Sequence, residues 1–345
     1  MADPSSTRVS IVVPVHNGGD AFVRCLESIA AASPGPIETV VVADGDSDGA
    51  WRRAQDFGAR VVRIAQAGGP ARARNRGAAA ARGELLYFVD ADVTIPPDAL
   101  AQVDEAFASD PSLAALIGSY DDAPGADNFL SQYKNLFHHF VHQRSREQAS
   151  TFWGACGAIR REVFEAVGGF DEGYRRASIE DIELGYRLRR AGHHIRLLKE
   201  LQVKHLKRWT VRSLLRADVL DRALPWTRLM LREGELLNDL NLSARNRVSV
   251  ALVFLLLPVS AAGALFPALL LPAGMLGVGL VILNLDLYRF FVSKRGLAFA
   301  LKCVPWHWLY LLYSGATFSY GLLERVLTRA GSEGGAARTG RREPT

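Results

Sequence analysis

Two aspartates, Asp90 and Asp92, flank Ala91 at the end of the apolar run ELLYFVDADV (84–93). On an extended segment their side chains point to one side. Carboxylates held that way can share a divalent cation with a polyphosphate, because Mg²⁺ and Mn²⁺ seek oxygen and bridge the two. A lone Asp-X-Asp is more often a solvated turn, so its company has to decide. A second acidic cluster, ADGDSDG (43–49), also ends an apolar run. Farther along, Glu180 and Asp181 open the helical stretch IEDIELGYRLRRAGH (179–193). A helix start stabilises an anion, which makes Asp181 a modest base at neutral pH. Glu183, two positions on, faces elsewhere on the helix and is expected to be structural. His205 in VKHLKRW is either a satisfied strand histidine or a ligand, neutral imidazole being acceptable to Mn²⁺. His138, His139 and His142 have a spacing that invites zinc, but no carboxylate or cysteine joins them.

The elements that must position these groups alternate strand and helix. RVSIVVPVHN (8–17), ETVVVADGDSDG (38–49), ARVVRI (59–64) and ELLYFVDADV (84–93) read as strands, the first a β-branched run of the buried parallel kind. Phe22, Val23, Leu26 and Ile29 share one face of a helix after the first strand, and ARARNRGAAAARG (71–83) is a helix stopped at Gly83. The pattern predicts an α/β fold with a mostly parallel sheet flanked by helices. In such sheets ligands bind at the carboxyl ends of strands, where the acidic loops fall. No Gly-X-Gly-X-X-Gly follows the first strand, which argues against a dinucleotide oxidoreductase.

PVHN (14–17), ADGDSDG (43–49), ARNRG (73–77), FVDADV (88–93), GACGAIRREVFEAVGGFDE (154–172) and the 179–193 stretch occur in one order. This set resembles the inverting nucleotide-sugar glycosyltransferases of family 2, with the GT-A fold, over about residues 8–209. The resemblance implies that Asp44 contacts the nucleoside base, and that Pro14, His16, Asn17 and Arg74 line the same pocket. It further implies that Asp90 sits at the ribose and diphosphate, that Asp92 ligates Mg²⁺ or Mn²⁺, and that Asp181 is the catalytic base. A histidine after the catalytic helix completes the metal site in several such enzymes, which assigns His205. Ala43 stands where a second Asp is usual and His16 where Tyr is usual, and both departures bear on base preference. Arg208 and Trp209 look like the end of the Gln-X-X-Arg-Trp motif of processive relatives. With His205 in the Gln position, polymer synthesis is not supported, and Arg208 is left to neutralise a leaving diphosphate. Trp153, Gly154 and Trp209 are assigned to the acceptor or interface side.

The chain has 345 residues, 49% hydrophobic, with a net charge of +5. Three cysteines, Cys25, Cys156 and Cys303, support neither a disulfide framework nor a paired-cysteine zinc site, and fit a reducing compartment. The apolar surplus sits late. No charge occurs between Arg247 and Asp286, a stretch that fits two helices turning near Phe266 and Pro267 better than one span. A second uncharged run, 303–323, carries Trp306, Trp308, Tyr310, Tyr313 and Tyr320, the aromatics favoured at membrane interfaces. The expected organisation is a disordered 1–7, a GT-A domain at 8–209, and a basic amphipathic juxtamembrane segment at 210–246. A transmembrane hairpin at 247–285, a cytoplasmic or interfacial loop at 286–302, a third membrane segment at 303–323 and a basic disordered tail at 324–345 follow.

Arg212, Arg216 and Arg222 beside tryptophans point to the membrane surface rather than nucleic acid, for which no binding signature is present. FLSQYKNLFHHFVHQR (129–144) is either a buried amphipathic helix or an interfacial one beside a lipid acceptor. No signal peptide precedes residue 8, so the first 245 residues are expected to stay where they are made. The partners expected are a nucleotide sugar, UDP-linked by first choice, a membrane lipid acceptor and the bilayer. The acceptor of first choice is a polyprenyl phosphate, with a glycolipid or hopanoid-like alcohol second. The expected location is the cytoplasmic membrane, multi-pass, with the catalytic domain cytoplasmic. The reading from another class is a non-catalytic GT-A scaffold subunit.

Overall fold

The computed structural model describes residues 8–32, 37–235 and 243–339, the side chains of 329–339 excepted. The expected disordered N-terminus at 1–7 and the last six residues lie outside them. The described chain divides into two compact units at Leu214 and Leu215.

The first unit is built on an eight-stranded sheet. Its first half is wound from β1 (Val9–Val15), α1 (Gly19–Ala31), β2 (Glu38–Asp44), α2 (Ala50–Asp56), β3 (Arg60–Ile64), α3 (Pro70–Ala80) and β4 (Leu85–Val89). Strands β3, β2, β1 and β4 lie side by side and all parallel. The second half comprises β5 (Val93–Thr94), α4 (Ala99–Ser109), β6 (Ala115–Tyr120), α5 (Phe129–Arg144), β7 (Cys156–Arg160), α6 (Arg161–Ala166), α7 (Glu180–Arg190) and β8 (Ile195–His205). Here β7 runs antiparallel to both β4 and β6, and the short β5 runs antiparallel to β8. The sheet is therefore mixed, with six of its eight strands running one way, as the mostly parallel expectation has it, and β7 and β5 running against them. Helix α5 and the loop at 145–155 separate β6 from β7, and nothing in the apolar run of β7 reveals its direction.

Both faces of the sheet are covered, which is why β1 reads as unbroken hydrophobics. Ile11, Val13 and Val15 join a core with Phe22 of α1 and Phe107 of α4, while Val12 joins the opposite core with Phe88, Phe164 and Phe170. Gly77 of α3 lies so close to the sheet that a Cβ there would meet Val12 Cγ1 at 2.3 Å. Helix α5 is buried on most of its sides, with Leu130, Tyr133, Asn135, Leu136 and His139 all inside, so the buried reading holds and the interfacial one does not.

The second unit is helical. It contains the end of α8 (Val211–Asp218), a π-helical turn at Val219–Ala223, α9 (Leu224–Glu233), α10 (Ala244–Gly263), α11 (Leu270–Leu283), α12 (Leu285–Arg295) and α13 (Leu297–Thr339). By length and composition α10 can cross a membrane. The pair Pro267–Leu283 and Leu285–Arg295, bent by 63°, counts as a second candidate if taken as one broken span. The expected third segment, 303–323, is the middle of α13, which does not meet that standard of apolarity. Residues 286–302, expected as a loop, are α12 and the start of α13, and the expected tail is helical as far as Thr339. Alternating small and aromatic residues hide that continuity, because they satisfy helix and interface patterns alike.

Candidate active site

Asp92 and His205 are brought together by strand pairing. Val93 of β5 lies opposite His205 of β8, and the Leu206 amide donates to the Asp92 carbonyl at 2.8 Å. This register sets His205 Nε2 3.4 Å from Asp92 Oδ2. The imidazole is fixed from two sides. Its Nδ1–H donates to Asn135 Oδ1 of α5 at 3.2 Å, and its ring stacks on Tyr120, centroids 4.8 Å apart and 12° from parallel. With the proton on Nδ1, Nε2 presents a lone pair toward a carboxylate oxygen. Two acceptors in apposition call for a cation between them, and both lie within reach of an ion bound at about 2.0–2.2 Å. Without an ion, a proton on His205 Nε2 takes that place: burial pushes the Asp92 carboxyl up, but protonated His205 and Lys207 outweigh it and hold it below its ordinary range, the positive charge that a bound cation would supply instead. No group of three or more His, Cys, Asp or Glu side chains arranged for a metal occurs among the described residues. Mg²⁺ and Mn²⁺ tolerate so few protein ligands when phosphate oxygens complete the shell.

Asp90 and Asp92 do not lie on an extended segment. Residues 90–92 turn, with the Val93 amide donating to the Asp90 carbonyl at 3.0 Å, so the two carboxylates meet different partners. Asp90 accepts from Arg74 Nη2 at 2.7 Å, and Arg74 Nη1 donates to Glu180 Oε1 at 2.8 Å. Burial works against the Arg74 cation, and Asp90 and Glu180 more than restore it, raising its pKa. At 4% side-chain exposure, Arg74 stands behind the site as a clamp rather than lining an open pocket. Gly154 makes the seat for it, since a Cβ there would come within 2.7 Å of the guanidinium carbon. The Gly154 amide also donates to Asp181 Oδ2 at 3.0 Å, while Asp181 Oδ1 accepts from the Ile182 amide at 2.8 Å. The carboxylate at the start of α7 is thus aimed by two backbone donors. Glu183 is bound to Arg187 at 2.8 Å, and Arg187 is tied to the carbonyls of Val167 and Gly169, a structural role as expected.

On the opposite side of the β1 and β2 ends, Asp44 accepts from the Gly68 amide at 2.8 Å and the Gly69 amide at 2.8 Å, shaping the loop before α3. Pro14 pairs in register with Val42. His16 Nδ1–H donates to the Asp44 carbonyl at 2.7 Å, and Asn17, in the left-handed region at φ 53°, accepts from the Ser47 amide. Trp153 packs edge-on against Tyr120 at 4.7 Å and His142 at 5.3 Å. Trp209 is buried and tied to α5 through Ser131 and Asn128, each at 2.7 Å, while Arg208 is exposed just before it. His139 Nδ1–H donates to the Tyr120 carbonyl at 2.7 Å, which gives that histidine a structural task in place of zinc. Sequence reasoning missed Asn135 and Tyr120 as members of the site, and placed Glu180 beside Asp181 without its bond to Arg74. Their spacing carries no signal, because each meets its partner only through tertiary packing.

Residues 10–168 match the model described as glycosyl transferase family 2, and residues 134–209 match the one described as the N-terminal domain of galactosyltransferase. The chain carries a family 2 glycosyltransferase domain. An O-antigen biosynthesis protein of Myxococcus xanthus is 32% identical over 186 residues, which are 51% of this chain and 14% of that protein. A pre-mycofactocin glycosyltransferase of Mycobacterium tuberculosis is 29% identical over 222 residues, 61% of this chain and 45% of that protein. The chain thus spans less than half the length of either relative. Among solved structures, a mannosyltransferase from Pyrobaculum calidifontis in complex with GDP-Man and Mn²⁺ superposes with a TM-score of 0.56 at 20% identity, covering 88% of each chain. At that identity the likeness speaks for the GT-A fold.

Proposed function

We propose that this family 2 glycosyltransferase moves a sugar from a nucleoside-diphosphate donor, UDP-linked by first choice, to a lipid acceptor in one inverting displacement. The observation that carries the reading is the apposition of Asp92 Oδ2 and His205 Nε2 at 3.4 Å, with His205 Nδ1 held 3.2 Å from Asn135 Oδ1 on its other side. These two residues would hold Mg²⁺ or Mn²⁺, which when bound supplies charge compensation for the donor diphosphate. The chain's own groups do the rest. Arg74 fixes Asp90 and Glu180 in a buried bridge, and the Gly154 and Ile182 amides aim Asp181. Arg208 is placed after β8 to meet the negative charge on the leaving group, and Asp44, His16 and Asn17 order the donor side.

The second unit supports the lipid acceptor. Leu265, Phe266, Leu271 and Met275 are each more than 60% exposed in a stretch without charge, a face suited to hydrocarbon. A polyprenyl phosphate is the first acceptor. A lipid hydroxyl is favoured by one observation, the two backbone donors that orient Asp181 as a general base would need. Mass analysis of lipid products after incubating the full-length protein and membranes with a panel of nucleotide sugars tests the reading. A new glycolipid that requires the divalent ion is expected. Failure of every donor to be turned over would favour a non-catalytic scaffold.

A further inference from the structure

The helical unit carries a mismatch between its apolar hairpin and a bilayer. Helices α10 and α11 form that hairpin, and its base is closed by a buried hydrogen bond from Asn284 Nδ2 to Ser249 Oγ at 3.0 Å and by the Arg245–Asp286 ion pair at 3.2 Å. Between Ser249 and Asn284 the one polar side chain is Ser260. The turn itself, around Leu265 and Phe266, is apolar, with those two side chains 79% and 63% exposed. A hairpin that crosses a bilayer puts its turn among headgroups, where polar residues are needed; this turn offers none. Helix α10 counted from Ala244 is long enough to span, but above the Asn284–Ser249 bond the reach of the hairpin is short. Residues 250–263 rise about 21 Å and Pro267–Leu283 about 25 Å, against a hydrocarbon core of about 30 Å.

The remaining helices stay at the base. Helix α12 leaves α11 at 63° and ends in Lys294 and Arg295. Helix α13 returns antiparallel beside it, with Phe299 on Phe291 and the Tyr288 hydroxyl bonded to His307 at 2.9 Å. It then packs near the base of the hairpin, Leu311 against Val253 and Leu280, and Gly315 so close that a Cβ would meet Val250 at 2.5 Å. Beyond that it pairs Glu324 with Arg228 of α9 at 2.8 Å, among charged residues again.

We propose that α10 and α11 enter the bilayer as a re-entrant hairpin whose turn stops inside the hydrocarbon, and that α12 and α13 lie across its base in the headgroup layer. Arg245, Arg247, Arg289, Lys294 and Arg295 then face anionic headgroups, and both ends of the hairpin emerge on one side. This arrangement removes the conflict that a third span would create, since such a span would carry Arg325 and Arg329 away from the side where Lys294 and Arg295 lie.

The inference rests on the membrane half of the proposed function and can fail separately from it. A fluorophore attached to Phe266→Cys, or to Leu265→Cys, in the full-length protein reports depth in vesicles of phosphatidylcholine and phosphatidylglycerol. The three native cysteines are buried and do not compete. Stronger loss of fluorescence with quenchers at acyl-chain ends than with headgroup quenchers is expected. The reverse order with intact vesicle binding overturns the re-entrant hairpin alone, and no vesicle binding overturns the membrane reading with it. In cells, Ser293→Cys and Thr328→Cys should react with an impermeant maleimide from the same side. Labelling from opposite sides contradicts the arrangement of α13.

Discussion

In the proposed site His205 would become a ligand through a residue that never touches the metal. Asn135 fixes the tautomer from 3.2 Å and Tyr120 fixes the ring plane. Losing such an outer partner typically costs 10–100-fold in metal affinity. Asn135→Leu is accordingly expected to shift the Mn²⁺ concentration for half-maximal activity upward by about 10–100-fold, with little change at saturating metal. Titration of activity against Mn²⁺ checks it. Asp181 offers a second test at this scale. A polyprenyl phosphate arrives ionised, whereas a lipid hydroxyl must lose a proton as the bond forms. For a hydroxyl acceptor Asp181→Asn should cost about 100 to 10,000-fold in kcat, and for a phosphate acceptor much less. Single-turnover rates with unchanged donor binding separate the two, and the phosphate outcome is expected. Asp92, Asp181 and His205 were legible because each sits at the end of a strand or the start of a helix. Asn135 was not, since a polar residue within a helical run looks the same whether it faces solvent or a partner far along the chain.

The strands and helices matter to the site through where they end. Helix α7 carries Asp181 and packs so tightly on residues 151–152 that a Cβ at Gly185 would lie 2.3 Å from the Phe152 amide nitrogen. Gly185→Ala should therefore push α7 away from the Gly154 amide, lower stability by about 1–3 kcal/mol and reduce turnover with it. Gly274→Ala in α11 meets nothing within 4 Å and serves as the control in the same thermal melts. The first four strands were readable from their β-branched and apolar runs, two of them with acidic ends. The direction of β7 was not, because a strand buried on both faces carries the same residues whether parallel or antiparallel. The turn at 90–92 defeated the expectation of two carboxylates on one side for a related reason. Alternation holds along a strand and fails one residue past it.

At the scale of the molecule, the proposed chemistry and the proposed attachment fall to different compact units. The sheet and its cores belong to residues before Leu215, and the apolar hairpin to residues after it. Composition foretold this division, since the hydrophobic surplus had to lie in a stretch without charge. It did not foretell that the aromatic run at 303–323 belongs to one long helix, because length and apolarity leave packing unspecified. The central claim concerns the first unit: Asp92 and His205 hold the divalent ion that makes a nucleotide sugar reactive. Release of nucleoside diphosphate from the donor, measured with full-length protein at saturating Mn²⁺, tests it most directly. Asp92→Ala is predicted to lower the rate at least about 100-fold, the scale for lost electrostatic stabilisation, while the thermal melt stays close to that of the parent. An Asp92→Ala protein that releases the diphosphate at the parental rate, in EDTA as in Mn²⁺, would contradict the account.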